Sequence, residues 1–136
     1  MSARHSHRVV ARVALPRAPR GPVRRARAAA RPEAKRVLKL NALRDCGRRC
    51  VYCAQTLAPE QATLDHVYPL AHGGANAPGN LVVACGPCNR MKGDMLPHEF
   101  FARHPWAGAN FVRYARTVHR ALKRGARRAV SLACAA

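Results

Sequence analysis

Apolar residues recur at helical spacing near residue 40, and this recurrence predicts the first regular element of the chain. Four of them fall on one side of a helix drawn over residues 34–45, namely Val37, Leu38, Leu40 and Leu43. Gly47, a turn-forming residue, follows directly after Cys46, so the helix is expected to end there. The pattern predicts a short amphipathic helix ahead of the central part of the chain.

Two short runs of aliphatic and β-branched residues follow, and they predict strands over residues 62–67 and 80–84. Pro69 and the Gly73-Gly74 pair place a loop between these runs. A short helix is expected through residues 89–92. Pro97, at a tolerated first-turn position, begins another helix. The centre of the chain is therefore predicted to mix short strands with short helices.

The C-terminal part shows the longest helical pattern, over residues 110–124, with Asn110 as the N-cap and Gly125 as the C-cap. Its apolar side is formed by Phe111, Ala115, Val118 and Leu122, widened by Tyr114 and Ala121. We expect this side to pack on the core. A second side of the same helix is basic and is expected to face solvent or phosphates: Arg113, Arg116, Arg120, Lys123 and Arg127.

The chain has a large positive charge, which is concentrated at its two ends. Its 25 Lys and Arg residues against six Asp and Glu residues give a formal net charge of +19. Residues 1–36 carry a net +10, residues 37–108 a net +2 and residues 109–136 a net +7. Such a surplus favours a polyanionic partner, and nucleic acid is the commonest one. We therefore divide the chain into a basic arm (1–36), a central domain (37–108) and a basic amphipathic C-terminal helix and tail (109–136).

The arm is rich in Arg, Ala and Pro, which predicts a segment without a core of its own. Residues 1–32 contain no acid, so a transit peptide is an alternative, although four prolines would interrupt its amphipathic helix. No apolar run approaches the roughly 20 residues that a membrane span needs. The expected location is a bacterial or phage-like cytoplasm, with organellar import as the alternative.

Four of the six cysteines form the pattern C-x2-C-x31-C-x2-C, namely Cys50, Cys53, Cys85 and Cys88. A two-residue gap lets both thiolates of a pair bind one tetrahedral ion, and two pairs complete a closed structural zinc site. Such an ion would stabilise a domain of only about 70 residues. Two redox pairs or disulfides are the alternative. Cys46 and Cys134 have no matching partners and are expected to be structural or free thiols.

An ordered set of motifs runs between and after these cysteine pairs. Asp65-His66 is followed by Gly73-Gly74, then Asn80-Leu81-Val82, then Cys88-Asn89, and then Lys92. This set resembles the HNH endonucleases in their zinc-containing branch, over about residues 37–102. The resemblance implies an α+β fold, with a small ββα-metal (His-Me finger) core and a four-cysteine zinc site. Flanking helices and a disordered basic N-terminal arm would complete the chain.

The resemblance also implies a role for four residues. His66 would act as the general base that takes a proton from the attacking water. Asn80 would orient the His66 imidazole, largely through its backbone carbonyl. Asp65 and Asn89 would hold a catalytic divalent ion. Two hard oxygen ligands suit Mg²⁺, with Mn²⁺ or another divalent ion as alternatives.

The implied activity is hydrolysis of DNA phosphodiester bonds, with RNA left open as a substrate. Arg90 and Lys92 are candidates for contacts to the substrate phosphates. Low sequence specificity is expected because no dedicated base-reading module is visible, and the sequence indicates no protein partner. Two alternatives share the charge and the cysteines: a non-catalytic zinc-knuckle nucleic-acid-binding protein on an HNH scaffold, and a small basic ribonucleoprotein component. Neither requires the combination of Asp65, His66 and Asn89.

Overall fold

The computed structural model describes residues 32–136, which form one compact unit. Residues 1–31 of the predicted arm lie outside the described part of the chain. Within that part, no helix has the length and apolar character needed to cross a membrane. Two strands and five α-helices follow one another in this order: α1 (Pro32–Asp45), β1 (Ala62–His66), β2 (Leu81–Cys85), α2 (Gly86–Lys92), α3 (Pro97–Arg103), α4 (Pro105–Tyr114) and α5 (Arg120–Ala135).

Helix α1 confirms the first predicted element and begins two residues earlier than expected, with proline at its start. Residues 32–36, which were assigned to the arm, therefore form its first turns. Only Ala42 and Leu43 are buried, and they lie in the half of the helix that packs on the two strands. Val37 and Leu40 remain largely exposed, so the apolar side contacts the core only near its C-terminal end.

The two strands confirm the predicted pair to within one residue at each end. They run antiparallel, with Ala62 opposite Cys85 and His66 opposite Leu81. Every residue of β2 is buried, whereas β1 mixes buried and half-buried positions. A two-stranded sheet is marginal in water by itself, so it depends on the elements that cover it. Helices α1 and α2 both contact both strands.

A cluster of aromatic rings forms the core beside the sheet. Tyr52, Phe100, Phe101 and Phe111 are all fully buried. The rings of Tyr52 and Phe100 meet edge to face, with centroids 5.1 Å apart, and those of Phe101 and Phe111 are 5.0 Å apart. Such pairs add to the stabilisation that burial of the rings provides. The cluster thereby joins the first cysteine pair to helices α3 and α4.

The C-terminal region differs from the predicted single helix over residues 110–124. Helix α4 ends at Tyr114, and α5 begins only at Arg120. Asn110 lies inside α4, and its side-chain amide donates to the Tyr52 carbonyl oxygen at 2.7 Å. Gly125 lies inside α5. Neither residue is a cap, and the predicted domain boundary after residue 108 falls within α4.

A tertiary contact occupies the break between these two helices. The backbone N–H of His119 donates to the Gly79 carbonyl oxygen at 2.8 Å, and Val118 is buried. The periodicity correctly placed Phe111, Ala115 and Val118 in the core. Ala121, which was expected on the same side, is exposed because the helix is interrupted before Arg120. A local sequence pattern can indicate the buried side of a helix, but it gives no information about a hydrogen bond to a residue forty positions earlier.

Helix packing predicts opposite effects for two glycine-to-alanine substitutions. A Cβ at Gly108 would lie 2.5 Å from the Val130 side chain and 3.1 Å from that of Phe101, whereas nothing lies within 4 Å of one at Gly125. We expect Gly108→Ala to destabilise the protein by about 1–3 kcal/mol through overpacking. Gly125→Ala should stabilise it by up to about 1 kcal/mol through helix propensity. Urea unfolding of both variants measures this, and a destabilised Gly125→Ala would contradict a continuous α5.

Candidate active site and four-cysteine cluster

The two cysteine pairs come together in the structure as predicted. The sulfur atoms of Cys50, Cys53, Cys85 and Cys88 all lie within 4.8 Å of one another, and those of Cys53 and Cys85 are 3.8 Å apart. A tetrahedron with metal–sulfur bonds of about 2.3 Å has edges of about 3.8 Å. The cluster therefore fits a structural zinc ion. Cys46 and Cys134 are not members of it.

Backbone geometry aims the thiols at a common point. The Cys53 N–H points at the Cys50 sulfur and the Cys88 N–H at the Cys85 sulfur, both at 3.5 Å. Cys85 ends β2 and is also the N-cap of α2, so one residue connects the strand, the helix and the cluster. Hydrogen bonds of this kind orient metal ligands.

The chemistry of the thiols also favours a shared cation. Burial raises the pKa of the Cys88 thiol, and the three neighbouring cysteines raise it further. Four thiolates would repel one another unless a cation balanced them, and thiols that ligate zinc bind it as thiolates. Burial likewise raises the pKa of Cys46, which lies apart and is suited to remain a neutral thiol. All six cysteines are free thiols, and the close four-sulfur grouping favours one ion over two redox pairs.

The cluster predicts that two exposed cysteines respond differently to substitution. Cys53 belongs to the cluster and Cys134 does not, although both are exposed. We expect the wild type and Cys134→Ser to bind about one equivalent of zinc, and Cys53→Ser to bind it weakly and to lose most of its stability. Zinc content by elemental analysis and thermal unfolding measure both effects. A Cys53→Ser variant with full zinc content and unchanged unfolding would contradict a structural zinc site.

Three of the four predicted catalytic and metal-ligand residues converge on one cleft, and the fourth, Asn80, does not line it. Asp65 and His66 end β1, and Asn89 lies in the middle of α2. All three line a cleft of about 280 Å³, together with Asp94. Asp94 is exposed and was not among the residues singled out from the sequence. The cleft thus holds an imidazole, two carboxylates and an amide, which are the groups needed to move a proton and to hold a hard cation.

The His66 imidazole is half-buried at the end of the strand. Its Nε2 lies 3.0 Å from the amide oxygen of Asn76, and its backbone carbonyl accepts a hydrogen bond from the Lys92 ammonium at 3.0 Å. The contact with Asn76 was not predicted, because a single asparagine in a Gly-rich loop gives no sequence signal for it. It brings the loop between the strands against the candidate base.

Asn80 holds this loop in shape. Its side-chain oxygen accepts a hydrogen bond from the Tyr68 N–H at 2.8 Å. Its side-chain nitrogen donates to the Tyr68 carbonyl at 3.0 Å and to the Ala75 carbonyl at 2.8 Å. Its own carbonyl accepts from the Val67 N–H at 2.9 Å. Gly74 is needed in the same turn, because a Cβ there would lie 1.8 Å from the Tyr68 carbonyl oxygen. The expected orientation of the His66 imidazole by Asn80 stays a prediction.

Asn89 is held by its nitrogen, which leaves its oxygen available. Its Nδ2 donates to the Thr63 hydroxyl at 3.0 Å and reaches the Leu64 carbonyl at 3.4 Å. Its Oδ1 accepts none of the side-chain hydrogen bonds found among residues 32–136. Among the described residues no side chain donates to this oxygen, and coordination of a metal by Asn89 stays a prediction.

Asp65 is buried, with 5% of its surface exposed, and two interior donors contact it. The Tyr52 hydroxyl donates to its Oδ2, and the Lys92 ammonium donates to its Oδ1 at 3.2 Å. Burial raises the pKa of Asp65, and the Lys92 charge and the Tyr52 hydroxyl oppose that rise. A carboxylate has about four acceptor positions, so two internal hydrogen bonds leave capacity for a cation.

The burial of Lys92 contradicts one prediction from the sequence. Lys92 was a candidate for a phosphate contact, but it is 1% exposed and its ammonium donates to Asp65 and to the His66 carbonyl inside the domain. The reason is a partner 27 positions away in the sequence, the buried Asp65, which a lone lysine on a short helix does not reveal. Arg90 is exposed and stays a candidate for that contact. The contact between Tyr52 and Asp65 was not predicted either, because these residues are 13 positions apart and meet only in the folded chain.

Comparisons with known proteins agree with this geometry. A family model described as HNH endonuclease matches residues 50–104. CRISPR-associated endonuclease Cas9 of Actinomyces naeslundii is 42% identical over 57 residues, which are 41% of this chain and 5% of that protein. The crystal structure of the Type II-C Cas9 enzyme from Actinomyces naeslundii covers 80% of this chain, with a TM-score of 0.51 and 25% identity.

This chain covers only 12% of that solved structure, so the likeness concerns one domain of a much longer protein. The matched segment includes both cysteine pairs and all three residues that converge on the cleft. The chain therefore carries, over residues 50–104, a domain of the HNH endonuclease family.

Proposed function

We propose that this protein is a metal-dependent endonuclease that hydrolyses phosphodiester bonds of DNA with low sequence specificity. The observation that supports this most is the convergence of Asp65, His66 and Asn89 on one cleft. They lie there within a domain of the HNH endonuclease family. A protein that only binds nucleic acid has no need for an imidazole, a carboxylate and an amide oxygen at one place.

His66 is the residue suited to remove a proton from the attacking water. An imidazole titrates near neutral pH, which is the property that a general base needs. The His66 backbone is anchored through its carbonyl to Lys92, and its ring contacts Asn76. The ring is half-buried at the cleft and therefore remains accessible to a water molecule.

Asp65 and Asn89 are the residues that would hold the divalent cation. They fit it, because a carboxylate and an outward amide oxygen are hard donors, and substrate and water would complete the coordination. When bound, such a cation supplies positive charge to the non-bridging and leaving oxygens of the phosphodiester. Mg²⁺ suits this donor set, and Mn²⁺ could replace it.

The distribution of basic residues suggests where the rest of the substrate lies. A groove of about 460 Å³ runs between α1 and the start of β1 and is lined by Lys35, Arg36 and Lys39. Leu64 lines both this groove and the catalytic cleft, so the two are neighbours. A strand bound in the cleft would extend into the groove, where cations would contact its phosphates.

A second candidate function is a non-catalytic nucleic-acid-binding module, which the net charge of +19 favours. It would use a second basic surface, on and beside α5, lined by Arg116, Arg120, Lys123, Arg124 and Arg127. The phosphates of any nucleic acid would suit that surface. Substitutions in the cleft would leave such binding intact, which separates the two functions.

Nicking of supercoiled plasmid DNA tests the enzymatic proposal. We expect the wild type to convert plasmid to open circles in Mg²⁺ or Mn²⁺ and to be inactive in EDTA. His66→Ala and Asn89→Ala should lower the rate by at least about 100-fold, because they remove the base and a metal ligand. His98→Ala is the matched control, since His98 is exposed on α3 outside the cleft.

Equal inactivity of the wild type and His66→Ala, with salt-sensitive binding retained by both, would support the binding module instead. The same assay on single-stranded DNA and RNA identifies the substrate class. Mapping the nicks tests specificity, because discrete preferred sites on a mixed sequence would contradict the low specificity that we propose.

The position of the groove predicts that two triple substitutions, each of which removes three positive charges, differ in their effect on DNA binding. We expect Lys35→Gln/Arg36→Gln/Lys39→Gln to raise KM for DNA and to lower the salt dependence of binding, by about one charge for each lost contact. The equally charged set Lys123→Gln/Arg124→Gln/Arg127→Gln should have a smaller effect on KM. Steady-state nicking by the otherwise wild-type protein measures KM, and binding titrations at several salt concentrations on the His66→Ala background measure the salt dependence. A larger loss from the α5 set would assign the substrate to that surface.

A further inference from the structure

Asp65 is a buried carboxylate with an unusual pair of partners. Removing an ionised carboxylate from water is costly unless donors replace the lost hydration. Here the Tyr52 hydroxyl contacts one carboxylate oxygen and the Lys92 ammonium the other. The side chain is therefore held from two directions within the domain, and its position at the cleft is fixed by residues that do not face the cleft.

Lys92 also contacts His66, the residue that follows Asp65 in β1. Its ammonium lies 3.2 Å from Asp65 Oδ1 and 3.0 Å from the backbone carbonyl oxygen of His66. One cation therefore contacts two successive residues, the predicted metal ligand and the predicted base. The Lys92 side chain is inaccessible to solvent, so it cannot contact a substrate phosphate or a water in the cleft.

Both donors belong to segments that the cysteine cluster anchors. Tyr52 lies between Cys50 and Cys53, and Lys92 is the last residue of α2, the helix that contains Cys88. The Tyr52 ring also packs in the aromatic core, and the backbone carbonyl of Tyr52 accepts a hydrogen bond from the Asn110 side-chain amide. The zinc-binding pairs and the end of β1 are thus connected through two side chains.

We propose that Tyr52 and Lys92 are positioning residues, which transmit the geometry of the four-cysteine cluster to Asp65 and His66. This inference rests on the proposed metal-dependent reaction, because it assigns a purpose to the same cleft. Ligands and bases act only within narrow limits of distance and angle, and small displacements at a reacting group cost large factors in rate. Lys92 contacts both of these consecutive residues, and Tyr52 contacts the first of them.

Tyr52→Phe is the sharpest test, since it removes one hydroxyl and keeps the buried ring. Lys92→Met is less useful, because it would leave a buried carboxylate without its charge partner and could unfold the domain. The matched control is Tyr114→Phe, whose ring packs near Arg49 and Arg113, away from the cleft. Zinc content and thermal unfolding are measured first for the wild type and both variants.

Two quantities then distinguish positioning from stability: Mn²⁺ affinity, followed by electron paramagnetic resonance, and the kcat and KM for plasmid nicking in Mn²⁺. We expect Tyr52→Phe to retain its zinc and its KM for DNA. Its Mn²⁺ affinity and its kcat should each fall by about tenfold, the usual scale for a partner of a metal ligand. Higher Mn²⁺ should restore part of the lost rate. Tyr114→Phe should match the wild type throughout.

Wild-type Mn²⁺ affinity and kcat in Tyr52→Phe would overturn the inference, whatever the change in unfolding temperature. A wild type that binds Mn²⁺ without cleaving any nucleic acid would refute the proposed function alone. In that case the Mn²⁺ affinity of Tyr52→Phe still decides the positioning role, since it does not depend on turnover.

Discussion

The four sulfur atoms of the cysteine cluster are the constraint on which the rest of the domain depends. The sheet has only two strands of five residues, too few to be stable without support. Cys85 ends β2 and caps α2, while Cys50 and Cys53 bring a separate loop to the same point. A cation bound by these thiols would tie three segments together. The positions of this loop, β2 and α2 follow from that connection, and β1 joins them by pairing with β2.

Tyr52 shows that the cluster, the core and the cleft are not independent. Its ring belongs to the aromatic cluster of α3 and α4, its hydroxyl contacts Asp65, and it lies between the cluster cysteines Cys50 and Cys53. A disturbance of the aromatic packing would therefore reach the carboxylate at the cleft. In a small domain the same side chains must serve stability and site geometry, because few buried residues exist to separate the two tasks.

Charge in and around the cleft is also divided between buried and exposed residues. Asp65 is offset by Lys92 inside the domain, so the cleft presents less negative charge to an approaching polyanion than its sequence suggests. The groove beside α1 and the surface of α5 add positive charge on the outside. Phosphates would therefore meet a favourable field around a cleft that still holds hard oxygen donors.

The sequence by itself determined both strands and the helices as far as α3, because strand and helix periodicities are local. The convergence of Asp65, His66 and Asn89 was implied by the resemblance of the ordered motifs to the HNH endonucleases. The cysteine spacing likewise predicted the cluster, because a two-residue gap fixes how each pair can point. The two pairs are 31 residues apart, however, so their meeting was predicted from the tendency of paired C-x2-C units to bind one zinc ion and not from closeness in the chain.

Only the tertiary structure decided the partners of Lys92 and Tyr52 and the division of the C-terminal helix. Lys92 could have been a solvated lysine, and its burial depends on a carboxylate 27 positions earlier. Asn110 resembled a helix cap, yet its partner is the Tyr52 carbonyl 58 positions away. Periodicity reports which side of a helix is apolar, but it carries no information about which distant group a polar side chain meets. Such pairings form only when separate elements pack, and packing is a property of the folded chain.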